Sequence, residues 1–285
     1  MTGLAATVGR LPLPMAAWVG RRVGDIAYAL LPGRRRLALA NLGHVFPERS
    51  AAERRRIYRD SCRHLGLVFV ELCELLARPL PRFLERITID GLEHVEAVMA
   101  THGRALALSA HLGNWELLSA AHRLSPYHLA VVIRPLDSPA LNALADAVRN
   151  KTGVELIDKR RALRPVLSAL GQGRIVGILL DQNASRREGV FVPFFGRPAS
   201  TSRSIALLAV RTGTPVLPIF ARRERAGRHR VMVLPPLAPP QTNDTEAAVV
   251  ELTARCTSTI EAAIRQTPEQ WLWMHNRWRT QPPGG

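Results

Sequence analysis

The chain has 285 residues, of which 47% are hydrophobic and 22% are charged, and this composition excludes a mainly disordered chain. Its formal net charge is +16, and because its only lysines are Lys151 and Lys159, nearly all of the positive charge is arginine. Arginine binds phosphate and carboxylate groups bidentately, so the charge is suited to anionic partners, although a GC-rich genome also produces arginine-rich proteins.

The cysteines Cys62, Cys73 and Cys256 form no C-x-x-C pair, and their odd number suits no full disulfide framework. We therefore expect a reducing compartment and small buried thiols.

Residues 1–85 are predicted to be helical. The most apolar stretch there, Leu11 to Leu31, is interrupted by Arg21, Arg22 and Asp25, which argues against a membrane-spanning helix but leaves open whether this segment spans the membrane or lies on it. Its apolar positions recur near helical spacing: Met15, Ala16, Trp18, Val19, Val23, Ile26 and Ala27. This pattern favours a helix that lies in a membrane interface with its arginines near anionic lipid, and a helix packed on the protein's own core is the alternative.

The next segment, PGRRRLALANLGHVFPERS, predicts a helix that ends near Pro47. Ser50 is then a candidate N-cap with Glu53 three positions later, which is the arrangement of a capping box. The helix that begins there is predicted to end before Pro79 and Pro81. Its apolar stripe comprises Leu65, Val68, Phe69, Leu72 and Leu76.

From residue 86 onward the pattern changes to short runs of β-branched and aliphatic residues, most of which alternate with helical segments. The runs are RITID (86–90), ALALSA (105–110), HLAVVI (128–133), VELI (154–157), RIVGILL (174–180), PVLPIF (215–220) and RVMVL (230–234). We predict an α/β fold with a mixed, mostly parallel central sheet and helices on both faces. A long C-terminal helix is predicted to end before Pro268.

No repeat, low-complexity tract or clear linker separates these parts of the sequence. We therefore expect one structural domain, in which a helical, membrane-associating region of residues 1–85 is packed on an α/β core of residues 86–285.

The motif HLGNWE, residues 111–116, follows the second predicted strand. Asn114 is a suitable N-cap for a helix beginning at Trp115, so His111 lies in the turn beyond the strand and Glu116 in the first helical turn. Ligands of open α/β sheets bind beyond the carboxyl ends of strands, and free N–H groups at a helix start favour negative charge. A histidine paired with a carboxylate is suited to act as a general base, and a structural contact is the alternative.

Other kinds of catalytic site have less support in the sequence. It contains no G-x-S-x-G elbow for a serine nucleophile. The spacing is not H-E-x-x-H and no further ligand cluster is evident, so we expect no metal. A base without a protein nucleophile is consistent with direct activation of a substrate hydroxyl.

With its His, four residues, then Glu, the chain resembles the lysophospholipid acyltransferase superfamily. More narrowly it resembles the bacterial lipid A late acyltransferases, the lauroyl and myristoyl transferases of lipopolysaccharide assembly. The resemblance covers most of the chain. The matching segments, in order, are RRLALANLGHVFPERSAAERRRIYRDSCRHLG, HLGNWE, VVIRPLDSPALN, DQNASRREGVFVPFFGRPAST, TGTPVLPIF and PEQWLWMHNRWRT.

The resemblance implies roles for particular residues. His111 would be the base and Glu116 its partner, while Arg134 would bind an anionic part of donor or acceptor, or steady the oxyanion. Asp181, which opens the block DQNASRREG, would organise the site. Where the lipid A enzymes often have Asp-Gln-Asp, this chain has DQN, so related enzymes that acylate phospholipids or mannosylated inositol glycolipids are the alternatives.

The same block has features that suit a lipid site. Phe191, Phe194 and Phe195 flank Pro193 where a polar loop is expected, and we predict that they line an acyl-chain groove, with core packing as the alternative. The arginines of the block suit phosphates or acidic sugars of an acceptor, and solvated surface charge is the alternative. These arginines are Arg186, Arg187, Arg197 and Arg203.

The tail PEQWLWMHNRWRT interleaves Trp271, Trp273 and Trp278 with arginines, a composition that favours a membrane interface. Capping of the sheet is the alternative for the tail. Its His275 is expected to be structural.

The sequence thus predicts an O-acyltransferase associated with the cytoplasmic face of the bacterial inner membrane. It would move a fatty acyl group from acyl carrier protein or coenzyme A, as co-substrate, to a hydroxyl of a glycolipid such as a lipid A precursor. The net positive charge would steer the acidic carrier protein to the site, and no other cofactor is expected. A basic nucleic-acid-binding protein is the rival class, but no zinc-finger, RRM-like or helix-turn-helix signature supports a nucleic-acid partner.

Overall fold

The computed structural model describes residues 2–135, 138–225 and 227–283. The helices are α1 (Thr2–Arg10), α2 (Leu13–Leu30), α3 (Pro32–Val45), α4 (Ala51–Ala77), α5 (Leu80–Leu84), α6 (Leu92–His102), α7 (Leu118–Ala121), α8 (Pro139–Thr152), α9 (Leu163–Gly171), α10 (Ser204–Thr212) and α11 (Thr245–Gln266). The strands are β1 (Ile87–Asp90), β2 (Ala105–Ser109), β3 (Leu129–Ile133), β4 (Glu155–Asp158), β5 (Ile175–Leu179), β6 (Gly189–Phe194), β7 (Arg197–Ser202), β8 (Val216–Arg225) and β9 (Arg228–Val233).

The central sheet has seven strands in the order β1-β9-β8-β2-β5-β3-β4. Every neighbouring pair is parallel except β8 and β9, which are antiparallel. The predicted mixed, mostly parallel sheet is therefore confirmed, and each of the seven predicted strands is present.

Helices cover both faces of this sheet, as the alternating side chains of β2 show. Leu106 and Leu108 are buried in a cluster that includes residues of α10 and α11, whereas Ala105 and Ala107 are buried with Val95 of α6. Because successive side chains of a strand point to opposite faces, the two clusters lie on opposite sides of the sheet. This arrangement explains why the strands read as continuous apolar runs in the sequence.

The long helix α4 is the centre of the N-terminal region. Ser50 caps it as predicted: the Glu53 N–H donates to Ser50 Oγ over 3.3 Å, and the Ser50 N–H donates to Glu53 Oε2 over 2.8 Å. Helix α2 approaches α4 so closely that a Cβ added to Gly66 would lie 2.0 Å from the Gly20 carbonyl oxygen. The two backbones are thus in direct contact at a position where a larger side chain has no room.

The outer face of α2 is apolar and exposed. Its large exposed side chains are Leu13, Met15, Trp18, Val23, Ile26 and Leu30. Its inner face consists of Ala16, Gly20 and Gly24, which are buried. Within the three described ranges, every helix is too short or too polar to cross a bilayer.

Strands β6 and β7 form a separate antiparallel hairpin that the sequence did not predict. Pro193 and Pro198 are paired in this hairpin. Proline has no backbone N–H to donate to a neighbouring strand, so its presence argues against a strand in the interior of a sheet. In a two-stranded hairpin both strands are edges, so the prolines are tolerated. Its turn is formed by Phe195 and Gly196, both with positive φ, as a type I′ turn requires.

Candidate functional site

The candidate site lies at the carboxyl ends of β2 and β5, which are neighbours in the sheet. Ser109 at the end of β2 is in register with Leu179 at the end of β5. His111 and Asp181 each follow two residues later, so the parallel pairing brings these two side chains together. This is the edge at which ligands bind in open α/β sheets.

The imidazole of His111 is held by the carboxylate of Asp181. His111 Nδ1 lies 2.9 Å from Asp181 Oδ1, and the His111 backbone N–H donates to Asp181 Oδ2 over 3.0 Å. The indole N–H of Trp271 donates to the same Oδ2 over 2.8 Å. Burial by itself would raise the pKa of Asp181, but the charge and hydrogen bonds of His111, together with Trp271, outweigh it and bring that pKa to about 2.

These contacts fix the tautomer of His111. Asp181 is ionised near neutral pH and can only accept hydrogen bonds, so Nδ1 carries the proton of the neutral ring. The amide nitrogen of Gln182, a donor, lies 3.3 Å from Nε2, which agrees with an unprotonated Nε2. The His111 side chain is 21% exposed, so the imidazole combines a basic lone pair on Nε2 with partial access to solvent.

The carboxylate that contacts His111 therefore differs from the predicted one. Glu116 is buried, and its two oxygens accept from the guanidinium of Arg149 on α8, with Nε donating over 2.9 Å. The prediction that Glu116 contacts the imidazole is wrong because the turn at Gly113 directs the Glu116 side chain towards α8. No motif or spacing in the sequence pointed to Arg149, which lies 33 residues further along the chain.

Asn114 caps the helical segment that follows the turn, as predicted, by accepting from the Leu117 N–H over 3.2 Å. The ring of Trp115 packs edge-on against His111, with 5.0 Å between the ring centroids. The imidazole is thus held by Asp181 on one side and by an apolar ring on another.

The C-terminal tail forms a wall of the site, so of the two environments that its composition left open, packing on the sheet is found for its tryptophans and not a membrane interface. Trp271, Trp273 and Trp278 are buried in the main hydrophobic cluster, and Arg277 is fully buried. The tail is attached to the His111 turn, since the Leu272 N–H donates to the His111 carbonyl over 3.2 Å. His275 has a structural contact, since its Nε2 accepts from the Asn183 N–H over 2.9 Å.

The aromatic residues of the segment DQNASRREGVFVPFFGRPAST are part of the core. Phe194 is fully buried against the rings of Trp271 and Trp278, and Phe195 is buried beside it. Core packing, the alternative that the sequence left open, is therefore the arrangement found for these two side chains. Phe191 is half-buried on β6.

The predicted anion-binding arginines occupy different surroundings. Arg134 is exposed directly after β3, and the two residues Leu136 and Asp137 of its block lie outside the described residues. Arg187 is exposed, and Arg186 is exposed and donates to the Gln281 carbonyl over 3.0 Å. Arg203 forms an ion pair with Glu246 at the start of α11.

A model of the family described as bacterial lipid A biosynthesis acyltransferase matches residues 1–280. The lipid A biosynthesis lauroyltransferase of Escherichia coli K12 is 28% identical over 99% of this chain and 91% of its own length. The palmitoleoyltransferase of the same strain is 27% identical over 96% of this chain and 88% of its own, and the myristoyltransferase is 25% identical over 100% and 86%.

The crystal structure of the 1-acyl-sn-glycerophosphate acyltransferase PlsC from Thermotoga maritima covers 88% of this chain and 99% of that one. The TM-score of this match is 0.41 at 16% identity.

Proposed function

Because this chain belongs to the bacterial lipid A biosynthesis acyltransferase family and is an acyltransferase, we propose that it transfers a fatty acyl group from a thioester to a hydroxyl of a lipid A precursor. The observation that carries the proposed chemistry is the His111–Asp181 pair at the carboxyl edge of the sheet, with a partly exposed imidazole. Relatives named as lauroyl-, palmitoleoyl- and myristoyltransferases support an acyl donor and a glycolipid acceptor of this class.

In the proposed reaction, His111 is the general base. Its Nε2 accepts the proton of the acceptor hydroxyl while Asp181 stabilises the imidazolium that forms. The hydroxyl oxygen adds to the thioester carbonyl, and the carbon–sulfur bond then breaks. The imidazolium returns its proton to the departing thiolate, so the base is regenerated and the products are an ester and a thiol.

Other residues that the sequence singles out have supporting roles in this proposal. Arg134, at the end of β3, or backbone N–H groups of the turn steady the oxyanion. Glu116 acts through Arg149 rather than on the imidazole, and keeps α8 in place beside the turn. Arg186 and Arg187 are exposed, and we assign them to phosphate or acidic sugar groups of the acceptor. Arg203 is assigned the same task in spite of its pairing with Glu246.

We propose that acyl carrier protein carries the donor acyl group, because the net charge of +16 attracts an acidic partner. The acceptor hydroxyl belongs to a 3-hydroxyacyl chain that is already attached to the disaccharide. Phospholipid and mannosylated inositol acceptors, and coenzyme A as donor carrier, are the alternatives that the assay has to separate.

The exposed apolar face of α2 supports attachment to the cytoplasmic face of the inner membrane. Trp18 is 63% exposed and Ile26 is 57% exposed, and Arg22 is exposed on the same helix. An amphipathic helix of this kind binds a bilayer surface with its apolar face in the headgroup region and its arginines near anionic lipid. We propose a peripheral attachment, which co-sedimentation with lipid vesicles can test.

The test of the proposed function is transfer by the purified protein, followed by mass spectrometry of the lipid products. Lauroyl, myristoyl and palmitoleoyl thioesters of carrier protein and of coenzyme A are each offered with a lipid A precursor, with a phospholipid or with a mannosylated inositol glycolipid. We expect one added acyl group on the lipid A precursor, and a loss of at least about 100-fold in the His111→Ala variant. Near-normal transfer by a folded His111→Ala protein would contradict the assigned base, and acylation of the phospholipid alone would contradict the acceptor.

A further inference from the structure

The turn that carries His111 is attached at its far end to a buried carboxylate in the N-terminal region. The side-chain N–H of Asn114 donates to Glu71 Oε2 over 2.7 Å, and Asn114 is fully buried. Glu71 lies on α4, 43 residues earlier in the chain, and is itself buried. An ionised carboxylate inside a protein is costly unless several donors surround it, so this contact needs an explanation.

Glu71 is surrounded by donors from β8, the neighbour of β2 in the sheet, and from the adjacent strand β9. The guanidinium of Arg223 on β8 binds both of its oxygens, with Nε donating to Oε1 over 3.1 Å. His229 Nε2 on β9 lies 3.1 Å from the same Oε1. Burial alone would raise the pKa of Glu71, but Arg223 and His229 outweigh it and hold this pKa well below its ordinary value. Glu71 therefore stays charged and can hold Asn114 firmly.

A second connection joins the same ion pair to the middle of the turn. The backbone N–H of Arg223 donates to the side-chain oxygen of Gln270 over 2.8 Å, and the Gln270 side chain donates back to the Arg223 carbonyl over 2.8 Å. The carbonyl of Gln270 then accepts from the Gly113 N–H over 3.0 Å. Gly113 has φ of 61° and touches the backbone of β8 so closely that an added Cβ would lie 1.5 Å from the Ala221 oxygen.

The turn is thus fixed at both ends. At its start, Asp181 holds the ring and the N–H of His111. At its end, Glu71 holds Asn114, and through Arg223 and Gln270 it also supports the peptide of Gly113. A displacement of about 1 Å at a catalytic group can cost about 100-fold in rate, so these attachments bear on catalysis although Glu71 itself is remote from solvent.

We propose that Glu71 is a positioning residue for the acyl transfer, and that through Asn114 it holds the His111 turn in its reactive geometry. This inference rests on the proposed function, because it assumes that His111 is the base. Helix α4 thereby has a role in catalysis in addition to its packing. The inference is supported by the contacts of Asn114 and Arg223 with the buried carboxylate of Glu71.

The test uses two variants that break the same contact from opposite sides. Glu71→Asp keeps the charge beside Arg223 but withdraws the carboxylate from Asn114 by one methylene. Asn114→Ser keeps a side-chain oxygen for the helix cap but is too short to reach Glu71. Each variant is expected to lower kcat by about 10- to 100-fold with the KM for the acyl donor within about twofold of the original protein. The kcat of the double variant should fall no further than that of the slower single variant, because the two substitutions remove the same interaction.

Glu74→Asp is the matched control. Glu74 lies on α4 and is buried in an ion pair with Arg86 at 2.8 Å, so its substitution removes the same methylene from a comparable pair in another place. Its kcat should stay within about twofold of the original protein. Equal losses in Glu71→Asp and Glu74→Asp would show a general effect on folding and would overturn the proposal.

Hydrogen exchange of the backbone amides of residues 111–117 provides a readout that does not depend on activity. We expect these amides to exchange at least about tenfold faster in Glu71→Asp and Asn114→Ser than in the original protein, and at the original rate in Glu74→Asp. Unchanged protection in both variants, or unchanged kcat in a folded Asn114→Ser protein, would overturn the proposal. If the original protein transfers no acyl group, the proposed function fails, and the exchange rates still decide whether Glu71 fixes the turn.

Discussion

Replacing Asp181 with Asn alters one functional group of the site, a carboxylate oxygen that becomes an amide nitrogen. Asp181 Oδ2 accepts from two donors, the His111 N–H and the Trp271 indole, while Oδ1 faces His111 Nδ1. An Asn side chain has a single oxygen, and the two donors at the Oδ2 position will hold it there. Its NH2 group then faces Nδ1, so the ring has to accept at Nδ1 and carry its proton on Nε2. In that tautomer Nε2 is no longer a base.

The size of the effect follows from two contributions. A hydrogen bond to a charged group contributes about 1.5–3 kcal/mol, and its loss from the imidazolium corresponds to about 10- to 160-fold in rate. The change of tautomer removes the basic lone pair in addition, and general-base catalysis is worth about 100- to 10,000-fold. We therefore expect kcat of Asp181→Asn to fall by at least about 100-fold while its fold is retained.

The assay is steady-state transfer of an acyl group from the thioester donor, with the His111→Ala variant and the double variant measured alongside. Since His111 and Asp181 act as a unit, the double variant should be no slower than the slower single variant. A folded Asp181→Asn protein that keeps more than about a tenth of the original kcat would refute the reasoning, since even the smaller of the two contributions exceeds that loss.

Three further outcomes are expected. Because the folded pKa of Asp181 is about 2, below its ordinary 3.8, its ion pair stabilises the fold by about 2 kcal/mol above pH 4; this contribution is lost as the pH falls towards 2. The difference in unfolding free energy between the original protein and Asp181→Asn, measured in urea, should accordingly become smaller from pH 5 to pH 2. A difference that stays constant over this range would contradict the stabilising role of ionised Asp181. Glu116→Gln leaves the guanidinium of Arg149 with only the partly exposed carboxylate of Asp146 as counter-charge and should lower the unfolding free energy by at most about 3–5 kcal/mol, whereas the double change with Arg149→Met should recover most of this loss. Changing Trp18 and Ile26 to Glu should reduce co-sedimentation with anionic vesicles at least about tenfold at unchanged thermal stability, since both side chains are more than half exposed; undiminished binding would reject α2 as the attachment surface.

The local pattern of the sequence was sufficient for the regular elements of the core. The apolar runs that predict β2 and β5 are buried on both faces of a parallel sheet, and a strand in that environment has few alternatives to aliphatic residues. The capping box at Ser50 and the cap at Asn114 were equally readable, because each is formed by residues three positions apart. The hairpin of β6 and β7 could not be predicted in the same way, because its prolines are acceptable only in strands that have a free edge.

The tail shows that composition does not fix the environment of a side chain. Tryptophans interleaved with arginines are typical of a membrane interface, yet Trp271 and Trp273 are buried beside the site. The indole N–H of a buried Trp needs an acceptor, and for Trp271 the acceptor is Asp181, 90 residues away in the chain.

The sequence by itself determined the family, the strands and the position of His111 beyond β2, because these depend on neighbouring residues. Only the tertiary structure decided which carboxylate reaches the imidazole. Asp181 does so because β2 and β5 pair in a register that places the two residues at equal distances from their strand ends. Glu116 is five positions from His111, but the chain turns between them, and the side chain that meets its charge comes from α8. Contacts of this kind depend on the packing of distant segments, which no local pattern of residues encodes.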